Sequence, residues 1–488
     1  MSNSETIILN EGQKAALEKI SSFLDASVAS SRVFILKGYA GTGKTTIIKE
    51  VINLAETKHI NYGLLASTGR AAKILGDVTG HIASTIHSEI YRFQGLRREN
   101  AGALGGALAE EDGQLIISFD LGSPSESSPS LYVIDESSMI SDKVETMIVQ
   151  SRFGDGRLLN DLLRYNRAAK FIFVGDPCQL PPVTGEPSPA LSTDYLKNTF
   201  GINAEDATLT EVMRQSNDNG IVETSVLVRH LCEDAPDGEW FYGGRNSWQR
   251  LPFRGVKGIE LVGSVDCLLA KYISDVSNRA YTKSVFICKS NSACYKFSMI
   301  VRKALGFNGL LVKDELLLVV QNNLISGFRN GDLVQVVSVS PKTESRAGLT
   351  FREIEVKELF TGKSYKQLMM EDILYQSKSN LEAKQQSKLY GDFIARMKAK
   401  NITEDNPAFE DFMRTDKYLN ALRVSFGYAV TCHKAQGGEW ENVYAYFPRN
   451  IMLNPTKQKY QWVYTAMTRA KERFFVVDDI YIEGYRRF

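Results

Sequence analysis

Apolar residues recur along this chain with two different periods. Behind Asn10, "EGQKAALEKISSFL" spaces them three and four apart, which predicts a capped helix within residues 1–25. The continuous apolar run "RVFILKG" then predicts a buried strand, and "GYAGTGKTT" turns the chain into the helix-like "IIKEVINLAE". "YGLLAST" predicts a second strand and "GRAAKIL" the helix after it. The strand signal returns in "LYVIDE" and "AKFIFVGD", two buried runs that end on acidic residues at Asp135 and Asp176. Strand–loop–helix alternation of this kind predicts a parallel sheet covered by helices.

Between about 92 and 130 the pattern breaks. "GLRRENAGALGGALAEEDGQ" and "LGSPSESSPS" are rich in Gly, Ser, Pro and charge, with one strand-like run, "LIISF", between them. The segment reads as an insertion outside the sheet, either a hairpin or a mobile surface loop. Residues 216–255 are poorly patterned and read as a linker. A second alternating region opens with "SVFICKS" and the helical "NSACYKFSMIVRKAL". "ELLLVVQ", "GDLVQVVSVS" and "FREIEVKEL" predict a small β unit, and "SKSNLEAKQQSKLYGDFIARMKAK" a charged, solvated helix. "LRVSFGYAVTCHKAQG", read as one strand, and "RFFVVDD" return to the core pattern. Two similar α/β halves result, with no short repeat.

Composition narrows the class. A chain of 488 residues exceeds one ordinary core, so several domains are expected. No apolar run is long enough to span a bilayer, and "MSNSETIILNEGQ" lacks the pattern of a secretory signal, so a cytoplasmic protein with no membrane partner is expected. The six cysteines are scattered without a CxxC, which favours reduced thiols over a disulfide framework or zinc site. With a net charge of +1, nucleic-acid binding would need a local basic surface.

The chemistry starts at the glycine loop. Gly38, Gly43, Lys44 and Thr45 fit G-x-x-x-x-G-K-[ST] between a strand and a helix. Glycines let the backbone wrap phosphates, and the helix aims its free N–H groups at them. Gly41, Thr42, Gly43, Lys44, Thr45 and Thr46 are therefore the expected nucleotide cradle, with Lys44 on the β- and γ-phosphates and the Thr45 hydroxyl on Mg²⁺. In "VIDESSM", Asp135 ends a buried strand where it can hold Mg²⁺ through water, and Glu136 can orient and deprotonate an attacking water. Gln179, in "VGDPCQLPP", ends the next strand and could sense the γ-phosphate. Ser67 and Thr68, in "STGRAAK", sit at a strand end where hydroxyls and helix N–H groups can hold phosphates.

The strings "GYAGTGKTT", "STGRAAKIL", "STIHS", "VIDESSM", "GDPCQLPPV", "LTEVMRQ", "YAVTCHKAQGGEW" and "YTAMTRAKERFFVV" occur in that order. The series resembles the RecD-like, 5′→3′ branch of superfamily 1 helicases (superfamily 1B), including the phage Dda type. The resemblance covers roughly residues 1–90, 130–215, 280–305 and 420–488. It implies two RecA-like domains with ATP in the cleft between them. It makes Gln13 the adenine-reading glutamine, and Arg214 and Arg469 ligands of the γ-phosphate. Glu439 looks like the family's ribose- or phosphate-side acid; the family often has Ser where Gly438 stands, leaving backbone N–H groups of Gly437 and Gly438 to serve. Thr85 and His87, with Thr431 and His433, look like paired contacts to the DNA strand from the two domains. Pro181 and Pro182 could stack on bases or simply shape a turn.

The expected fold is α/β, with two RecA-like P-loop domains. Residues 1–91 and 131–215 form the first, with 92–130 inserted as a possible strand-separating arm; 216–312 and 421–488 form the second, with a β-rich, possibly SH3-like, and helical insertion at 313–420. The expected function is an ATP- and Mg²⁺-dependent monomer that moves 5′→3′ on single-stranded DNA and opens duplex junctions. The alternative is an ATP-gated DNA-binding or protein-remodelling translocase that does not unwind.

Overall fold

The structure, a computed structural model, describes residues 9–99, 114–144, 151–183, 187–213, 220–235, 250–376, 380–403, 406, 408–449 and 456–485. The chain divides into two compact units. Unit 1 comprises Met1–Tyr91, Leu121–Glu145 and Asp155–Ser216; unit 2 comprises Arg92–Asp120, Thr146–Gly154 and Asn217–Phe488.

The first part of the chain forms α1 (Glu11–Asp25), β1 (Val33–Gly38), α2 (Lys44–Thr57), β2 (Tyr62–Ala66), α3 (Gly69–Thr79), β3 (Ala83–Thr85) and α4 (Ile86–Ile90). It continues through β4 (Tyr91–Glu99), β5 (Gln114–Leu121), β6 (Leu131–Asp135), β7 (Ser151–Phe153), α5 (Leu158–Tyr165), β8 (Lys170–Gly175), α6 (Thr193–Phe200) and β9 (Glu205–Leu209). Six of these strands make a parallel sheet in the order β3-β2-β6-β8-β1-β9.

Both faces of this sheet are buried, which is why its strands read as continuous apolar runs instead of alternating ones. Phe34, Leu36, Val133, Ile172 and Val174 join Ile20 and Phe23 of α1 and Ile47, Ile48 and Val51 of α2 in one core. The intervening residues Ile35, Tyr132, Ile134, Phe171 and Phe173 are equally buried. By the two-residue pleat they face the other way, where Tyr132 stacks on Phe171 at 5.6 Å and meets Tyr165 of α5 edge-on at 6.5 Å.

Strands β4, β5 and β7 form a separate three-stranded sheet in that order. Of the two readings of 92–130, paired strands, not an unstructured loop, are what flank its centre; residues 100–113 lie outside the described residues, as do the side chains of Arg97 and Arg98. Phe119 stacks on Phe153 at 4.8 Å and meets Phe93 at 6.0 Å.

Unit 2 continues with α7 (Ile221–Glu233), β10 (Ile259–Val262), α8 (Val265–Val276), β11 (Ser284–Cys288), α9 (Asn291–Ala304) and β12 (Leu316–Val319). There follow β13 (Leu333–Arg346), β14 (Leu349–Glu358), β15 (Ser364–Met370), α10 (Glu371–Leu374), α11 (Ala383–Lys398) and α12 (Phe409–Thr415). The chain closes with β16 (Val424–Phe426), β17 (Val430–Thr431), α13 (Cys432–Ala435), β18 (Trp440–Ala445), α14 (Thr456–Met467) and β19 (Ala470–Val477). A parallel sheet, β10-β19-β18-β11-β17, is the counterpart of the one in unit 1, and an antiparallel sheet, β15-β14-β13-β12-β16, is added to it.

Three sequence expectations are corrected here. Residues 216–255 are not a plain linker: α7 packs against α14, and Leu251 and Phe253 are buried. The helix escaped notice because its inward face includes Thr224, Ser225 and Arg229, which blurs the apolar period. The charged stretch around 383–398 is not merely solvated. α11 buries Leu389, Tyr390, Phe393 and Met397 in a core with Phe351, Met370 and Phe409, against which Phe93 also packs.

Finally, "LRVSFGYAVTCHKAQG" is not one strand. Gly427 divides it, so that β16 joins the antiparallel sheet and β17 the parallel one. The Gly427 backbone passes so close to β12 that a Cβ there would lie 2.9 Å from the Leu317 carbonyl carbon. All six cysteines are free thiols. Among the described residues no helix is long and apolar enough to cross a membrane.

Candidate functional site

In unit 1 the parallel strands deliver their C-terminal ends to one edge, the usual place for ligands in open α/β sheets. β1 gives way there to the glycine loop. Gly41 and Gly43 take φ values of 79° and 81°, left-handed angles that favour glycine. Gly43 is the N-cap of α2 and, having no side chain, leaves the first N–H groups of the helix uncapped by a side chain. A Cβ at Gly38 would lie 2.8 Å from Lys44 Cγ and 2.9 Å from Thr42 Oγ1, and one at Gly43 would lie 2.4 Å from Gln13 Nε2. The cradle is therefore tight enough that added side chains would fill it. The Lys44 ammonium donates to the carbonyls of Gly38 (2.8 Å) and Tyr39 (3.1 Å), while the Thr42 hydroxyl donates to Tyr39 O at 2.8 Å. Thr45 and Thr46 follow in the first turn of α2.

Gln13 is positioned by a capping box. Its N–H donates to Asn10 Oδ1 at 2.7 Å, and its own Oε1 accepts from Asn10 N–H at 3.0 Å. Its Nε2 donates to Thr42 O at 3.1 Å, which leaves one amide proton and one carbonyl lone pair uncommitted by these contacts. The side chain is 2% exposed. Asn10 was legible as a helix cap; the reciprocal bond that seats Gln13 on the phosphate loop was not.

Asp135 ends β6 in a half-buried position. Burial raises its carboxyl pKa, opposed by the Glu136 N–H, which donates to Oδ1 at 2.8 Å, and by the Lys44 charge. Glu136 itself has φ 51°, a left-handed conformation rare for a non-glycine residue and often found at functional sites. Ser137 locks this turn by donating its hydroxyl to Ile134 O at 2.8 Å. On the neighbouring strand end, Asp176 Oδ1 accepts the Cys178 N–H at 2.9 Å and Asp176 O the Gln179 N–H at 3.1 Å. Gln179 is 3% exposed, and its Oε1 has no hydrogen-bond partner. The segment leading to Arg214 is tied to the cradle by Met213 N–H donating to Gly41 O at 2.8 Å, but Arg214 lies outside the described residues.

Further along the same edge, β2 pairs Ala66 with Asp135 of β6 on one side and Thr85 of β3 on the other. Ser67 and Thr68 therefore follow directly in this row. Ser67 Oγ is buried without a partner, and Thr68 caps α3 by accepting the Ala71 N–H at 3.2 Å. Thr85 is more committed, since its hydroxyl accepts the Ser88 N–H at 3.2 Å and donates to Ser88 Oγ at 2.9 Å. His87 is half-buried, with its ring 5.6 Å from Tyr91, and burial lowers its pKa to about 4. Pro181 and Pro182 are both buried, as turn-shaping residues would be; the exposed side chain beside them is Val183.

The remaining candidates belong to unit 2. Thr431 pairs in register with Cys288 and caps α13 by accepting the Lys434 N–H at 3.4 Å; His433 lies on that short helix. Arg469 is buried. It donates from Nε to Thr465 O (3.1 Å), from Nη1 to Gly438 O (3.5 Å) and from Nη2 to Thr468 Oγ1 (3.2 Å). A surface salt bridge is thus not its role among the described residues: its guanidinium is held by carbonyls and a hydroxyl. Glu439 pairs with Lys471 at 3.6 Å, and both are substantially exposed, so that pair is worth little.

A family profile described as an AAA domain matches residues 8–235, and one described as a UvrD-like helicase C-terminal domain matches 426–477. Together they span the parallel sheet of unit 1 and strands β17, β18 and β19 of the parallel sheet in unit 2. In these regions the chain is similar to RecD/Pif1-like helicases of superfamily 1B. It is 25% identical over 482 residues to the ATP-dependent RecD2 DNA helicase of Deinococcus radiodurans, covering 97% of this chain and 50% of that protein. The chain thus spans about half the length of that curated relative. It is also 22% identical over 527 residues to the uncharacterized protein R530 of Acanthamoeba polyphaga mimivirus, covering 96% of this chain and 99% of that one. A Pif1 helicase, solved in work on DNA unwinding at forked duplex DNA by two coordinating copies, aligns with a TM-score of 0.50 at 16% identity, covering 99% of this chain and 93% of that one. That likeness shows the fold alone.

Proposed function

We propose that the chain is an ATP-driven motor that moves 5′→3′ along single-stranded DNA and opens duplex junctions. One observation carries the reading. A phosphate cradle with no room for an added Cβ shares its sheet edge with a row of hydroxyls, and the two are joined by Asp135, paired in register with the strand that leads into Ser67. A nucleotide-dependent shift of one group is thereby passed along rigid, hydrogen-bonded strands to the other.

In this reading the α2 N–H groups and Lys44 bind the phosphates. Lys44 exchanges its two carbonyl contacts for phosphate oxygens, a stronger charge-assisted pairing. The residues fit a magnesium ion: Thr45 supplies a hydroxyl in the first turn of α2, and Asp135 a half-buried carboxylate within reach of the Lys44 charge. Bound there, the ion would neutralise phosphate charge. Glu136, held in its left-handed turn, takes the proton of the attacking water, and the unpaired Gln179 Oε1 accepts from that water or a phosphate-bound group. Arg214 and Arg469 supply further positive charge. Ser67, Thr68 and Thr431 hold strand phosphates, and the β4–β5 excursion separates the strands.

The test is strand displacement on duplexes with a 5′ or a 3′ single-stranded tail, with and without ATP. ATP-dependent displacement from the 5′-tailed substrate alone is expected. A chain whose residues 94–128 are replaced by a short Gly/Ser bridge is expected to keep DNA-stimulated ATP hydrolysis and lose displacement. DNA-stimulated hydrolysis with no displacement from either tail by the intact chain would instead favour a translocase that remodels without unwinding, and displacement from the 3′ tail would reverse the polarity.

A further inference from the structure

Where the antiparallel sheet of unit 2 packs on α11, the core holds a cation with no counter-charge. Arg423 stands immediately before β16, and its carbonyl accepts the Val320 N–H at 3.0 Å, which continues the register of Val319 with Val424. Residues opposite each other on antiparallel strands put their side chains on one face of the sheet. The Val320 side chain lies in the core with Leu389, Tyr390 and Phe393 of α11, so the Arg423 side chain enters that core too. Arg423 is 3% exposed, and its Nη1 has no hydrogen-bond partner.

α11 meets this guanidinium with polar groups of its own. Gln386 and Tyr390 lie one turn apart on its buried side. Gln386 is 1% exposed, and neither its Nε2 nor its Oε1 has a partner. Tyr390 is close enough to feel the arginine: burial pushes its phenol up to about 12, with the Arg423 charge pulling against it. Burial lowers the Arg423 guanidinium to about 10, and among the described residues no carboxylate offsets its charge. The acids of the surrounding elements are committed elsewhere, Glu371 to Arg352 at 3.0 Å, Asp392 to Arg346 at 3.1 Å and Asp416 to Arg396 at 3.1 Å.

Buried polar groups are nearly always hydrogen-bonded, and a buried charge is costly until it is paired. Here a guanidinium N–H and a carboxamide N–H, both without partners, belong to one enclosed core. Together they complement a small monovalent anion. A doubly charged oxyanion would bring more charge than one arginine offsets and more acceptor oxygens than these donors serve. We propose that Arg423 and Gln386 form a buried halide site, filled by chloride, that ties α11 to β16. Arg423 Nη1 and Gln386 Nε2 donate to the ion, and the Tyr390 hydroxyl donates to Gln386 Oε1. The site is independent of nucleotide and strand binding.

The experiment follows hydrogen exchange of the full chain, in peptides covering residues 383–398 and 420–426, as chloride replaces gluconate at constant ionic strength. Exchange is expected to slow along a one-site curve, about tenfold where chloride reaches about ten times its dissociation constant. Peptides covering 33–57 are expected to change less than about twofold. Crystals soaked in bromide are expected to show an anomalous scattering peak between Arg423 and Gln386. Arg423→Met removes the charge and keeps an apolar stem. It is expected to exchange at a rate that ignores chloride, and more slowly than the unaltered chain does in gluconate.

Equal exchange in chloride and gluconate overturns the proposal, as does bromide bound only at the molecular surface. An ordered water at Arg423 that bromide does not displace overturns it too. Protection by phosphate with none by halide assigns the site to an oxyanion and overturns the halide. The titration and the soak use the unaltered chain, so neither depends on a variant folding.

Discussion

Substituting Gly43 tests the geometry of the cradle most directly. Alanine at φ 81° is in the left-handed region, which costs an L-residue about 1–2 kcal/mol. Its Cβ would also fall 2.4 Å from Gln13 Nε2. Because that atom is the end of a side chain, it can move, but only by giving up hydrogen bonds in a buried setting: Nε2 to Thr42 O and Oε1 to Asn10 N–H. At about 1 kcal/mol net for each bond, displacement adds about 2 kcal/mol, so Gly43→Ala should cost about 3–4 kcal/mol locally. Gln13→Ala alone, which loses the same two bonds, should cost about 2 kcal/mol. In the double variant the obstacle is gone, so Gly43→Ala adds only its backbone strain to the two bonds lost with Gln13, and the two changes together should cost about 3–4 kcal/mol instead of the sum of the single effects.

The assay is hydrogen exchange of peptides covering residues 10–25 and 33–57, which reports the opening free energy of this region without requiring the whole chain to unfold in one step. The expected coupling of about 2 kcal/mol lies well outside the additivity limit of about 0.5 kcal/mol for independent sites. Additive effects would show that Gln13 does not contact the loop as described. A neutral Gly43→Ala would show that the left-handed turn is not formed.

Glu136→Gln keeps size and hydrogen-bonding reach but loses basicity, so nucleotide affinity is expected to hold while turnover falls at least about a hundredfold; a collapse in affinity measured by equilibrium titration would make Glu136 a structural group instead. Arg469→Ala is expected to reduce ATP turnover far more than it lowers the melting temperature. The opposite pattern, a large drop in melting temperature with full activity in the surviving fraction, would reduce the arginine to a helix-end clasp on Thr465 and Gly438. His87, with its pKa lowered from 6.5 to about 4, contributes nothing well above pH 6.5, where it is neutral folded and unfolded. As pH falls toward 4 the unfolded chain takes up a proton that the folded chain refuses, so stability is lost across that window. Melting curves of the wild type should therefore fall more steeply between pH 7 and pH 4.5 than those of His87→Asn, and parallel curves would contradict the burial.

The sequence by itself determined what depends on neighbours along the chain. Continuous apolar runs at β1, β6 and β8 encode strands buried on both faces, and G-x-x-x-x-G-K-T encodes an uncapped helix end, because phosphate binding there needs only consecutive backbone groups. Asn10 ahead of a run with helical spacing marked a helix start for the same reason. Only the tertiary structure decided the rest. The turn holding Glu136 in a left-handed conformation, the seating of the Gln13 amide on Thr42, and the unpaired oxygens of Ser67 and Gln179 depend on strands that are adjacent in space and distant in sequence. Polar residues on the inner face of α7 hid that helix, and the charged exterior of α11 hid its buried face, because period and composition do not tell which neighbours satisfy or cover a side chain. The division of "VSFGYAVT" between two sheets is the clearest case. Alternation reads it as one strand, whereas its two ends pair in different sheets and the Gly427 backbone between them lies against Leu317, where no Cβ fits.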